Sequence, residues 1–149
     1  AKPMTKTFNF LGTTRAIEGV NGRALEILEQ VKLTELKNHK ASMLSHGDRR
    51  YLQIGIALAT NPKILLLDEP TAGMSPAETL EATELLREVK DKLSLTIVLV
   101  EHDMSVVMGI CDEVVVLHEG EVLAEGTLQE ISDHDLVQRI YLGESNAEC

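Results

Sequence analysis

Four consecutive apolar residues, Ile64-Leu65-Leu66-Leu67, run directly into two acids and a proline, Asp68-Glu69-Pro70. An apolar run of that length, closed by a turn signal, predicts a strand buried inside a parallel sheet. The two carboxylates then fall where the strand leaves the sheet, the edge at which open α/β sheets bind ligands. A second run, Leu95-Thr96-Ile97-Val98-Leu99-Val100, predicts another buried strand. Helical patterns lie before and between these runs, so the expected class is α/β, a mainly parallel sheet flanked by helices with right-handed crossovers.

Around that frame, residues 1–20 lack periodicity and are interrupted by Gly12 and Gly19, with Gly22 close behind, which predicts a loop. Ala24, Leu25, Leu28, Val31 and Leu33 recur at helical spacing and predict an amphipathic helix closing near Leu33 or Leu36. A second helix is expected after Ser45, running through Leu52, Ile56 and Leu58 to a stop at Asn61-Pro62. Ser75-Pro76-Ala77-Glu78 combines a capping box with proline in the first turn and opens a helix to about Leu93. Its expected buried face is Leu80, Leu85, Leu86, Val89 and Leu93. A short helix at 104–110 and strands at 113–118 and 121–124 follow, the last two joined as a hairpin through Glu119-Gly120. Thr127-Leu128-Gln129-Glu130 is a further capping box, and 135–142 is the last expected helix.

Composition narrows the functional classes. With 149 residues, 44% hydrophobic and 26% charged, the chain is long enough for a core of its own. Its apolar runs are too short to cross a bilayer. Cys111 and Cys149 fit neither metal-ligand spacing nor a disulfide framework, as expected of a reducing compartment. A net charge of −10 argues against a general nucleic-acid binder, which needs clustered Lys and Arg. From Glu119 onward the acids face only Arg139, a pattern read as a solvated acidic surface.

Three motifs carry chemistry. At the end of the first strand Asp68 is placed to hold a hydrated Mg²⁺ and Glu69 to reach an attacking water, because neighbouring side chains on an extended segment point different ways. His102 follows the second strand, within reach of the same pocket, where an imidazole can bond a phosphate oxygen or the water-positioning carboxylate. Leu44-Ser45-His46-Gly47-Asp48 sets a hydroxyl and a glycine at a helix start, where free N–H groups attract an anion. His39, His118 and His134 are read as ordinary surface residues. Nowhere does the sequence contain Gly-x-x-x-x-Gly-Lys-Ser/Thr, the loop that cradles nucleotide phosphates.

In order and spacing these motifs resemble the ATP-binding subunits of ABC transporters, over about residues 27–143. The resemblance implies a partial P-loop-type ABC ATPase domain: part of the helical, signature-containing subdomain in 1–62, and the C-terminal part of the ATPase core in 63–149. On that pattern Ser45, His46, Gly47 and Asp48 would form the signature motif, Asp68 would end the Walker B strand, Glu69 would be the catalytic carboxylate, Ser75 would belong to the D-loop and His102 would be the switch histidine. The spellings Ser-His-Gly-Asp, Thr-Ala-Gly-Met-Ser-Pro and Tyr-Leu-Gly look most like importers of branched-chain amino acids, amides or urea.

Such subunits bind ATP and Mg²⁺, work as head-to-tail pairs and dock on transmembrane permease subunits at the cytoplasmic face of the membrane. The phosphate loop, the adenine-stacking aromatic and the Q-loop of the family have no counterpart here, and Ser75 and Asp48 stand where an aspartate and a glutamine are common. The expectation is the C-terminal portion of a longer ATPase, with weak ATP binding by itself and exposed strand edges that favour self-association. The alternative is a non-catalytic truncated module that pairs with an intact subunit and lends it only Ser45 and Gly47. A DNA-repair or translation ATPase would show heptads or basic arms, which this sequence lacks.

Overall fold

The computed structural model describes residues 10–143, with side chains from 19 to 141. Two compact units divide the chain, residues 1–62 and residues 63–149.

Helix α1, Phe10–Gln30, opens the first unit and begins well before the periodic residues do. The glycines expected to interrupt it cost only about 1 kcal/mol each in a helix interior, and a Cβ at Gly19 or Gly22 would meet nothing within 4 Å, so neither marks a strained turn. Residues 1–9, the remainder of the predicted loop, lie outside the described residues. The buried side of the helix end is Ile27 and Val31, whereas Leu25 is exposed. Closure comes at Gln30, earlier than the periodicity indicates. Lys32 takes a left-handed φ of 58°, the Lys32 N–H bonds Glu29 O and the Leu33 N–H bonds Leu28 O. This is the Schellman pattern, with lysine where glycine is usual; it turns the chain so that Leu33 is buried. Helix α2, His46–Leu58, is capped by Ser45 and buries Ile54 and Leu58 while Ile56 is exposed. At Gly55 a Cβ would stand 3.2 Å from Ile27 Cγ2 and 3.3 Å from Val31 Cγ2, so the two helices approach closely there.

In the second unit β1, Ile64–Asp68, pairs in parallel with β2, Thr96–Val100, through the helix α3, Pro76–Leu93. Ser75 caps α3 in a full capping box with Glu78, and Pro76 occupies its first turn. The helix ends as α1 does: Ser94 has φ 50°, and Leu95 N–H reaches Lys90 O at 3.0 Å. Its buried face is Ala82, Thr83, Leu85, Leu86 and Val89; Leu80, expected among them, is 61% exposed. That set lies against α4, Met104–Ile110, where a Cβ at Gly109 would come within 2.5 Å of Thr83 Cγ2. Lys90 Nζ fastens the far end, donating to Ile110 O at 3.0 Å and to Asp112 at 2.6 Å.

Neither β1 nor β2 is buried on both faces, contrary to the reading of their apolar runs. Leu65 is buried and Ile97 and Leu99 are half-buried, while Leu66 is 75% exposed beside Ile64, Val98 and Val100. Alternation assigns these sets to opposite faces, one covered and one open. An antiparallel hairpin follows, β3 Glu113–His118 with β4 Glu121–Thr127, the latter three residues longer than expected. Its turn has φ 50° at Glu119 and 84° at Gly120, the two positive values of a type I′ turn. Thr127 then caps α5, Leu128–Ser132, in a third capping box. The described residues end in α6, Asp135–Val137, and a wider turn, Gln138–Gly143, where one regular helix was expected. Tyr141 donates from its hydroxyl to Leu117 O across this end of the hairpin.

Leu86 is fully buried and Leu80 is not. Urea unfolding should therefore show Leu86→Ala losing about 3 kcal/mol and Leu80→Ala less than about 0.5 kcal/mol.

Candidate functional site

Parallel register sets Asp68 opposite Val100, so the chain leaves both strands at one level. One further ladder bond, Glu69 N–H to Val100 O at 2.9 Å, carries the pairing a residue beyond β1. Glu69 then turns with φ 42°, a left-handed conformation that costs a non-glycine residue of order 1–3 kcal/mol and persists where surroundings fix it. Asp68 and Glu69 are thus separated by a backbone turn, and not by simple strand alternation as the sequence reading supposed. The Asp68 carboxylate is exposed and enters no hydrogen bond or ion pair among the described residues.

From β2 the chain presents His102, whose Nδ1 lies 3.4 Å from Glu69 Oε1 and 4.0 Å from Glu101 Oε2. Glu69 and His102 thus face each other across the strand ends with half or more of each side chain open to solvent. Next to His102 lies the buried Glu101, a carboxylate outside the motifs. Its side chain is 2% exposed. It accepts the Thr71 hydroxyl at 2.6 Å and the Thr71 N–H at 3.4 Å on one oxygen, and the N–H groups of His102 at 3.2 Å and Asp103 at 3.5 Å on the other. A signal for it existed: the alternation Ile97, Leu99, Glu101 puts an acid on the covered face, where a carboxylate must be hydrogen-bonded. Asp103 caps α4 by accepting from the N–H and hydroxyl of Ser105 at 2.9 and 2.6 Å. Those bonds, the hydroxyl first, hold its carboxyl below the usual range against a slight opposing effect of burial.

The remaining sequence candidates sit at helix starts. Ser75 lies on the loop that leaves Glu69 and is engaged locally, its N–H and hydroxyl bonding Glu78 at 2.8 and 2.7 Å. Ser45 and Asp48, in the first unit, close a capping box of their own, with Ser45 Oγ 2.7 Å from Asp48 Oδ2 and the Asp48 N–H 3.1 Å from Ser45 Oγ. His46 is exposed at the first turn of α2 and Gly47 half-buried beside it. Among the described residues no three His, Cys, Asp or Glu side chains cluster as a metal cage. A single exposed carboxylate such as Asp68 suits a cation that keeps its waters and takes its other ligands from phosphates, the habit of Mg²⁺.

The family model for the ABC transporter matches residues 3–72. Over 123 residues, 83% of the chain, the sequence is 47% identical to the high-affinity branched-chain amino acid transport ATP-binding protein LivG of Salmonella typhimurium, and the match takes in 48% of LivG. This chain is similar to the ATP-binding subunits of ABC transporters. BraF of Pseudomonas aeruginosa, with the same printed role, is 43% identical over 118 residues, 79% of this chain and 46% of BraF. Among solved structures, an ATP-binding cassette of an ABC transporter in its ADP conformation superposes with a TM-score of 0.74 at 34% identity, over 85% of this chain and 51% of the cassette. The chain spans about half the length of the curated ABC relatives it matches. No helix among the described residues is long and apolar enough to cross a membrane.

Because the Asp103 carboxyl is held down in the fold, it takes up its proton more readily in the unfolded chain. Its stabilising contribution is present above the ordinary carboxylate range and fades as pH falls through the lowered folded value. Asp103→Asn keeps a cap and removes the titration, so denaturant midpoints between about pH 5 and pH 2 should fall less steeply than in the unsubstituted chain.

Proposed function

We propose that this chain contributes the hydrolytic carboxylate and the switch imidazole of an ABC ATPase that energises import of branched-chain amino acids or related amides. The observation that carries the reading is the 3.4 Å approach of Glu69 Oε1 and His102 Nδ1 at the ends of two paired parallel strands. Glu69 orients and deprotonates the attacking water, and His102 bonds the γ-phosphate or steadies Glu69. Asp68 would hold Mg²⁺, which neutralises phosphate charge when bound. The substrate class is taken from the names of LivG and BraF.

Ser45, His46, Gly47 and Asp48 stand at the N-terminus of the 13-residue helix α2, where N–H groups and the helix dipole favour a phosphate. In a head-to-tail pair that phosphate belongs to the ATP of the neighbouring subunit, and Ser75 would belong to the D-loop. Permease subunits would be the second partner, at the inner face of the membrane. The open face of Ile64, Leu66, Val98 and Val100 favours association of this chain with itself or another. The rival reading is a non-catalytic module that lends only Ser45 and Gly47, at the capped start of α2, to an intact subunit.

Titration calorimetry of the chain with Mg-ATP should give no binding at micromolar concentrations; a micromolar Kd would overturn the assignment of the phosphates to a separate loop. Mixed with the phosphate-loop-bearing N-terminal half of an ABC ATP-binding subunit, the chain should support ATP turnover that falls about 100-fold in Glu69→Gln. Turnover indifferent to that substitution would leave the non-catalytic module.

A further inference from the structure

Glu101 has no place in the chemistry assigned above, yet it is the most completely enclosed acid at the site, 2% exposed and surrounded by donors. Its two oxygens serve two different loops. One takes the hydroxyl and N–H of Thr71, two residues beyond Glu69, and the other takes the N–H groups of His102 and Asp103. A buried carboxylate is costly unless its lone pairs are met. Here they are met almost wholly by backbone N–H groups and a hydroxyl, so satisfying the charge fixes the distance between the loops.

We propose that Glu101 is a positioning residue: its carboxylate clamps the loop after β1 to the loop after β2 and thereby sets the spacing of Glu69 and His102. The other tie at this level is the ladder bond from Glu69 N–H to Val100 O, which aligns the backbones and leaves both side chains to swing. Thr71 is the opposite jaw, 7% exposed and bonded to Glu101 at 2.6 Å. The positive φ at Glu69 fits this arrangement, since strain persists only where neighbours over-determine it. A carboxylate suits the task better than a neutral acceptor, because charge-assisted bonds to N–H groups are roughly twice as strong. The functional meaning of the spacing rests on the hydrolytic reading of Glu69 and His102, but the clamp itself does not.

The test is therefore made without nucleotide, on the whole chain by NMR. In the unsubstituted chain Glu69→Gln should move the ring resonances of His102. In Glu101→Ala that response should vanish, and amide exchange at His102 and Asp103 should quicken about tenfold while Leu66 and Leu99 keep their protection. Glu101→Gln, which can still donate to Thr71 Oγ1 and accept from His102 N–H, should restore the response. If Glu101→Ala does not fold, Thr71→Val removes the 2.6 Å hydroxyl bond alone and should weaken the response in the same direction.

A His102 signal that answers to Glu69→Gln as fully after Glu101→Ala or Thr71→Val as it does in the unsubstituted chain would overturn the clamp. So would equal loss of protection in the strands and the loops, which would make Glu101 a support of the fold only. Failure here would strike the clamp, whereas failure of the turnover assay would strike the hydrolytic reading.

Discussion

The parallel ladder between β1 and β2 is the interaction on which the rest of the second unit depends. Five residue pairs from Ile64 with Thr96 to Asp68 with Val100 keep the strands level, and a parallel pair of this kind needs a long crossover, which α3 supplies. Slipping the register by one residue would exchange the covered and open faces and turn Leu65 outward. It would also carry Glu69 away from His102, because each sits just beyond the last rung.

What the ladder delivers is proximity, and the loops convert proximity into geometry. Glu69 turns at once with a left-handed φ, and the buried Glu101 carboxylate gathers donors from both chain exits. Beyond it Asp103 starts α4, and α4 closes against α3 through Gly109, Thr83 and Lys90. The polar centre of the site is thus braced by the same helices that bury Leu85, Leu86 and Val106. Solvent reaches the side chains of Glu69 and His102 while that of Glu101 is buried, so the two exposed groups stay open to a ligand.

Sequence patterns located the capped helices well, because capping is local chemistry. Ser45, Ser75 and Thr127 each bond the residue three positions on, as their spelling indicates. The Glu119-Gly120 turn was legible for the same reason, since few residue pairs tolerate two positive φ values. Less local properties were misjudged. Helix α1 extends to Phe10, with Gly19 and Gly22 facing open space, and both α1 and α3 end on non-glycine residues in left-handed conformation, Lys32 and Ser94, that no composition rule marks. Leu80 and Leu66 belong to apolar patterns yet are exposed, because burial depends on what covers a face and periodicity reports only which residues share one.

By itself the sequence determined the order of elements, the positions of the caps and the two acids and histidine that end the strands, since those follow from residue types at short spacings. Tertiary structure alone decided that Glu69 Oε1 and His102 Nδ1 stand 3.4 Å apart, and that Glu101 and Thr71, separated by thirty positions, are joined by a hydrogen bond. The physical reason is that a hydrogen bond between distant residues is specified by strand register and backbone turn together, and neither is written at any single position of the chain.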